Sequence, residues 1–308
     1  MRAFLFPGQG SQSVGMGAAL AAASRAAQDV FDEVDEALGQ NLFRLMREGP
    51  DEELKLTENA QPAIMAHSIA VLRAWGVRLP DVASFVAGHS LGEYSALCAA
   101  SSFDLATTAK LLKLRGQAMQ QAVPVGEGAM AALLGADLAL AQKIAEAAAQ
   151  GEVCTVANDN DPSQVVISGH KSAIDRVIEL AKEMGAKRAV PLPVSAPFHC
   201  PLMQPAADAM ADALSYVVLE ATAVPLYANV TAKAETDPDT IRNQLVAQVT
   251  GMVRWRESVA NMADAGVEEF VELGAKVLGG MVKRIVPDAK VTSVVSIEDI
   301  EALAKEIA

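Results

Sequence analysis

The run Phe85-Val86-Ala87, then Gly88-His89-Ser90-Leu91-Gly92, then Glu93 through Ala100, constrains this chain more than any other stretch. A short apolar run predicts a buried strand. The good helix formers after Gly92 predict a helix. The five residues between fit G-x-S-x-G, in which the serine sits on a sharp strand-to-helix turn with its hydroxyl exposed. Gly88 and Gly92 leave room for the tight backbone. The helix N-terminus then aims free N–H groups and partial positive charge at any oxyanion formed beside Ser90. A glycine-rich turn with an incidental serine is the alternative, and the rest of the chain decides between them.

With 308 residues, 51% of them hydrophobic, the chain can form one large or two modest domains with a real core. Cys98, Cys154 and Cys200 are odd in number and scattered, which argues against a disulfide framework and for a reducing cytoplasmic setting. No C-x-x-C or His-x-x-x-His spacing points to a metal site. A net charge of −13 disfavours nucleic acid as a partner. No apolar run reaches the length of a membrane span. The short apolar run at Met1–Phe6 is stopped by Pro7-Gly8, unlike a signal peptide.

Along the chain, residues 2–6 predict a strand, followed by the loop Pro7-Gly8-Gln9-Gly10-Ser11-Gln12 and an Ala-rich helix from near Gly17. Helices are predicted over 28–38, over 63–75 with Pro62 in its first turn, and over 104–122. Pro124-Val125-Gly126-Glu127-Gly128 marks a boundary. Beyond it come a strand (129–134), a helix (138–150), two strands (153–157 and 164–168), a helix (172–184) and a strand (187–192). The two middle strands are joined by a turn at Asn158-Asp159-Asn160-Asp161-Pro162. That is the β-α-β-β-α-β order of ferredoxin-like units. A Pro-rich return (193–201) leads to helices at 202–214, 238–249 and 256–264. A strand (268–272), a helix (276–286), a strand (291–295) and a terminal helix close the chain. Alternating strands and helices predict an α/β fold with a mainly parallel sheet covered on both faces. The chain thus divides into a discontinuous large part, 1–124 with 194–308, and a small inserted part, 125–193.

A serine needs a base, and histidine is the usual one. Of the four histidines, His67 lies among apolar residues of a helix and reads as structural. His89 is adjacent to Ser90, points to the other side, and reads as an orienting or packing group. His170 follows Ser168-Gly169 as a turn residue. His199 lies at the return crossover, downstream of the elbow, in the order that elbow-type hydrolases use. It is the candidate base, with a capping role between Pro197 and Pro201 as the alternative. No acidic third member stands out, so a backbone carbonyl or a side-chain amide is left to orient the imidazole. On the 104–122 helix, Arg115 shares a largely apolar face with Leu105, Thr108, Leu112 and Met119. A guanidinium there needs an anion or several acceptors, and suits a carboxylate in particular. Clamping a substrate carboxylate, pairing with an internal acid, and lying solvated at the stripe's edge all remain open on spacing alone.

These features, with Gln61-Pro62-Ala63, Arg115-Gly116, Val165-Val166-Ile167-Ser168-Gly169, Pro197-Phe198-His199 and Gln248 ahead of Val253-Arg254-Trp255, extend over nearly the whole length. Together they resemble the malonyl-CoA:acyl carrier protein transacylases of fatty acid synthesis, related to the acyltransferase domains of polyketide synthases. The resemblance implies a hydrolase-like core with a ferredoxin-like insert. It implies Ser90 as nucleophile, His199 as base and then acid, and the main-chain N–H groups of Gln9 and Leu91 as oxyanion hole. It implies Arg115 as partner of the malonyl carboxylate, and Gln61 and Gln248 as lining residues, Gln248 helping to orient His199. Asn160 is implied to contact the acyl-thioester arm, and Phe198 resembles the residue of malonyl-selective members. Malonyl-CoA, CoA and acyl carrier protein are the implied substrates and partners, without a cofactor, metal, nucleic acid or membrane, for a cytoplasmic monomer. A polyketide acyltransferase, a serine thioesterase on the same elbow, and a non-catalytic carrier-binding module are the rival readings. Lys187-Arg188 and Lys283-Arg284 are candidates for meeting an acidic carrier, with ordinary solvated charge as the alternative.

Overall fold

The computed structural model describes residues 1–307. Its strands are β1 (Arg2–Phe6), β2 (Phe85–Gly88), β3 (Gly128–Leu134), β4 (Cys154–Asp161), β5 (Gln164–His170), β6 (Arg188–Pro191), β7 (Leu226–Tyr227), β8 (Ala234–Glu235), β9 (Glu269–Leu273) and β10 (Lys290–Val294). One sheet runs β10-β9-β1-β2-β7-β8 and is parallel except where β7 meets β8. The alternation of a strand assigns its two faces. Phe4, Phe6 and Val86 face the helices Arg25–Leu38, Thr57–Trp75 and Leu105–Gln121, whereas Ala3, Leu5, Ala87 and Phe270 face Trp255–Asp264 and Leu278–Ile285. This is the mainly parallel, doubly covered sheet that the alternation of elements predicts.

Residues 128–191 form a second sheet, β4-β5-β3-β6, antiparallel throughout. Helices Leu138–Ala149 and Lys171–Glu183 cover one of its faces. The other face presents Met130, Ala132, Ala157 and Val166 to Val194 and Phe198. Element order and pairing are those of a ferredoxin-like unit.

Local expectations fail where tertiary contacts override propensity. The helix predicted from residue 63 begins at Thr57 and carries Pro62 inside it rather than in its first turn. The helix predicted from residue 28 begins at Arg25, where the Ser24 hydroxyl accepts the Ala27 N–H and caps it. Helices Leu42–Glu48 and Asp51–Lys55, in a stretch without a sequence assignment, complete that region. The turn expected at 158–162 is strand as far as Asp161. Asp159 and Asp161 are buried there and paired with Arg256 and Arg284, so ion pairing claims residues that local chemistry assigns to a turn. His170 ends β5 instead of sitting in a turn, and its Nδ1 accepts the Val153 N–H at 2.9 Å.

Candidate active site

Ser90 leaves β2 with φ +54°, the left-handed backbone of a strained elbow. The turn closes only because two side chains are absent. A Cβ on Gly88 would lie 1.9 Å from the main-chain carbon of Gly92, and one on Gly92 would lie 2.2 Å from the Phe6 carbonyl oxygen. Asn229 secures the turn from β7's far end: its Oδ1 accepts the Ser90 N–H at 2.9 Å, and its Nδ2 donates to the Gly88 carbonyl at 2.7 Å.

His199, buried and also at positive φ, places Nε2 2.7 Å from Ser90 Oγ. Its Nδ1 lies 2.9 Å from the main-chain oxygen of Gln248. A carbonyl only accepts, so Nδ1 carries the proton and Nε2 is left to accept one from the serine. The backbone carbonyl is thus the orienting group, with no acidic third member. Burial, and then the Arg115 charge, push the His199 pKa down to about 3, so the imidazole is neutral.

β1 and β2 are parallel neighbours with Phe6 opposite Gly88, so the loop after β1 lies beside the elbow. That register brings Gln9 and Leu91, far apart in sequence, to the same cavity. Among the described residues, neither main-chain N–H donates to another residue. The Gln9 side chain is turned away, its Oε1 accepting from the Thr57 hydroxyl at 2.8 Å.

Arg115 is 1% exposed. Its guanidinium donates to Gln61 Oε1 at 2.8 Å, Gln248 Oε1 at 2.9 Å and Ser90 Oγ at 3.2 Å, and stands 5.8 Å from the centre of the Tyr94 ring. The helix that carries it approaches the Thr57–Trp75 helix through Gly116, where a Cβ would lie 2.5 Å from Glu58 Cα. Among the described residues it has no carboxylate in ion-pair range, and its Nε lacks an acceptor. Neither the internal ion pair nor the solvated arginine considered from sequence describes it. Neutral oxygens alone hold a buried cation beside the nucleophile.

The cavity at Ser90 measures about 460 Å³ and is also lined by Met119, Met130, Asn158, Val194 and Phe198. Asn160 is engaged elsewhere, its Oδ1 lying 2.8 Å from His89 Nε2, and Asn158 lines the cavity instead. His89 tilts against Trp255 at 5.6 Å, in keeping with a packing and orienting role. His67 is buried, and burial pushes its pKa down to about 4, as suits a structural residue. Lys187, Arg188 and Arg284 line a single separate cavity. Sequence reasoning gave no role to Asn229, Thr57 or Glu93. Asn229 carries no local signal. Glu93, an acid in an apolar helix, offered one.

A strained serine, a neutral histidine, two free amides and a buried guanidinium on a parallel α/β sheet define a serine-dependent acyl-transfer enzyme. The family model described as acyl transferase domain matches residues 3–290, and the chain belongs to that family of acyltransferases. It is 49% identical over 285 residues to the malonyl CoA-acyl carrier protein transacylase of Escherichia coli (strain K12), covering 92% of each chain. It is 46% identical to the protein of that name from Bacillus subtilis (strain 168), covering 97% of this chain and 95% of that one. The crystal structure of acyl-carrier-protein-S-malonyltransferase from Bartonella henselae superposes with a TM-score of 0.97 at 51% identity, covering 99% of both chains. The malonyl-transacylase in a complex with its type II PKS acyl-carrier protein superposes with a TM-score of 0.96 at 41% identity, covering 99% of both chains.

Proposed function

We propose that this chain moves the malonyl group from malonyl-CoA to the phosphopantetheine thiol of acyl carrier protein through a malonyl-serine intermediate, supplying extender units for fatty acid synthesis. The observation that carries this reading is Arg115, a buried guanidinium without a carboxylate partner, 3.2 Å from Ser90 Oγ. An acyl group that ends in a carboxylate supplies the missing charge and is held with its thioester carbon at the serine.

Ser90 Oγ attacks the thioester carbonyl carbon while His199 Nε2 takes its proton. The oxyanion rests on the N–H groups of Gln9 and Leu91, each contributing roughly 3 kcal/mol. Collapse breaks the C–S bond, and His199 returns the proton to the CoA sulfur. The carrier thiol then gives its proton to His199 and attacks the ester carbon, and as the C–O bond breaks His199 returns the proton to Ser90 Oγ. Malonyl binding also prepares the base. A carboxylate on Arg115 cancels the charge that helps hold the His199 pKa down, so the imidazole gains basicity when the cognate acyl group arrives.

Gln61 and Gln248 hold Arg115 from two sides, and Phe198 restricts the space beside the acyl group. Asn158 is placed to meet the acyl-thioester arm, with Asn160 supporting His89. In this reading residues 1–124 and 194–308 carry the catalytic groups and 125–193 close the cleft as a small subdomain. The steps run on side chains and backbone without a cofactor, in a cytoplasmic monomer. Among the described residues no helix is long and apolar enough to cross a membrane.

The test is incubation with labelled malonyl-CoA and labelled acetyl-CoA, followed by carrier protein. Malonyl label on Ser90 that chases onto the carrier is the expected result. Label released as free acid would favour a thioesterase, and absence of label would sink both enzymes. The likeness to a transacylase bound to a type II PKS acyl-carrier protein motivates running fatty acid and polyketide carriers side by side.

A further inference from the structure

A buried acid lies on the far side of Gln248 from Arg115. Glu93, in the helix Gly92–Ala99, is fully buried. Its Oε2 accepts from Gln248 Nε2 at 2.5 Å and from the Asn229 main-chain N–H at 3.4 Å, and its Oε1 has no partner. An acid so placed is costly, and the reaction steps do not use it.

Its geometry dictates the orientation of one amide. A carboxylate only accepts, so Gln248 must turn its NH2 end toward Glu93. The same NH2 end meets the Ser90 carbonyl at 3.0 Å and Asn229 Oδ1 at 3.2 Å. The opposite end, Oε1, is thereby left for Arg115. A flipped amide would set oxygen against oxygens on one side and NH2 against guanidinium on the other. On the Gln61 side the corresponding contact is neutral, from Gln61 Nε2 to the Thr57 hydroxyl at 2.9 Å.

We propose that Glu93 is a positioning residue for the malonyl carboxylate: through the Gln248 amide it holds the Arg115 guanidinium turned toward Ser90. The inference rests on the malonyl-transfer reading above. Burial lifts the Glu93 pKa to about 7 against the hydrogen bond from Gln248, so the chosen assay pH is 8, where the carboxylate is ionised.

The test is the ratio of malonyl to acetyl loading. Glu93→Gln keeps the size of the side chain but offers Gln248 either an oxygen or an NH2. It is expected to lower kcat/KM for malonyl-CoA about tenfold and to change that for acetyl-CoA less than about twofold. In an Arg115→Ala background the same change should move either rate less than about twofold, because no guanidinium is left to position. Equal losses for both substrates, no loss for malonyl, or the same further loss without Arg115 would overturn the proposal. If the glutamine form does not accumulate, Glu93→Ala takes its place: a malonyl-to-acetyl ratio that falls several-fold is expected, and an unchanged ratio refutes the role. The unaltered protein is assayed alongside: absence of malonyl label there counts against the proposed function, whereas normal label with an unaltered Glu93→Gln ratio counts against Glu93 alone.

Discussion

Arg115 acts on two neighbours at once, and its removal separates them. Arg115→Ala takes away the partner of the malonyl carboxylate, at a cost of about 3 kcal/mol or more, so malonyl loading falls on the order of 100-fold. Acetyl loading has no carboxylate to lose and is expected to hold or rise. Loading assays with the two labelled thioesters check this, and equal loss for both would refute the carboxylate clamp. The same substitution relieves His199. The guanidinium disfavours an imidazolium, so its loss raises the His199 pKa from about 3. His199 works as a base only when unprotonated, so the acid limb of acetyl loading should move to higher pH in Arg115→Ala. The pH dependence of kcat/KM for acetyl-CoA, compared with the unaltered protein, reads the shift. A limb that stays in place or moves to lower pH would contradict it.

The elbow is the element on which sequence and structure agree most closely, and crowding explains why. Gly88 and Gly92 are there for lack of room, with backbone atoms at 1.9 Å and 2.2 Å from where a Cβ would stand. Gly92→Ala would drive Phe6 away from the elbow and with it the loop that carries Gln9. A loss of about 3 kcal/mol or more is expected, since backbone rather than a flexible side chain must yield. A lowered urea midpoint at unchanged slope would register it, together with loss of Ser90 acylation. A fully stable, active Gly92→Ala would disprove the close approach. Local pattern was enough for this element because strand, glycines and helix are consecutive. It failed for β4, where Asn, Asp and Pro read as a turn although Asp159 and Asp161 are paired and buried. Likewise the site's outer members lay beyond local reading. Asn229 bonds to Ser90 across 139 residues and nothing around it signals the contact. Gln9, Gln61 and Gln248 were found through resemblance, not through spacing.

At the scale of the whole molecule, the cleft depends on how β4 of the second sheet is tied to the first. A backbone bridge joins Asn158 to Val253, and Arg256 grips Asp159 through two nitrogens at 2.8–3.0 Å. Asp159 is 1% exposed. Burial raises its pKa despite the arginine, whereas Arg256 is held more firmly charged by the pair. The two directions are consistent: desolvation falls on the acid, and the half-exposed arginine receives most of the benefit. Such a pair adds little net stability while intact but is expensive to break from one side. Arg256→Met strands a buried carboxylate beside Asn158, and is expected to destabilise by about 3 kcal/mol. Adding Asp159→Asn removes the stranded charge and should recover more than half of that loss. Chemical unfolding of the two single variants and the double variant measures the coupling. If the losses simply add, the pair is not what ties the sheets. Because Asn158 lines the cavity at Ser90, Arg256→Met should also weaken malonyl-CoA binding more than it slows chemistry, raising KM with kcat nearly unchanged.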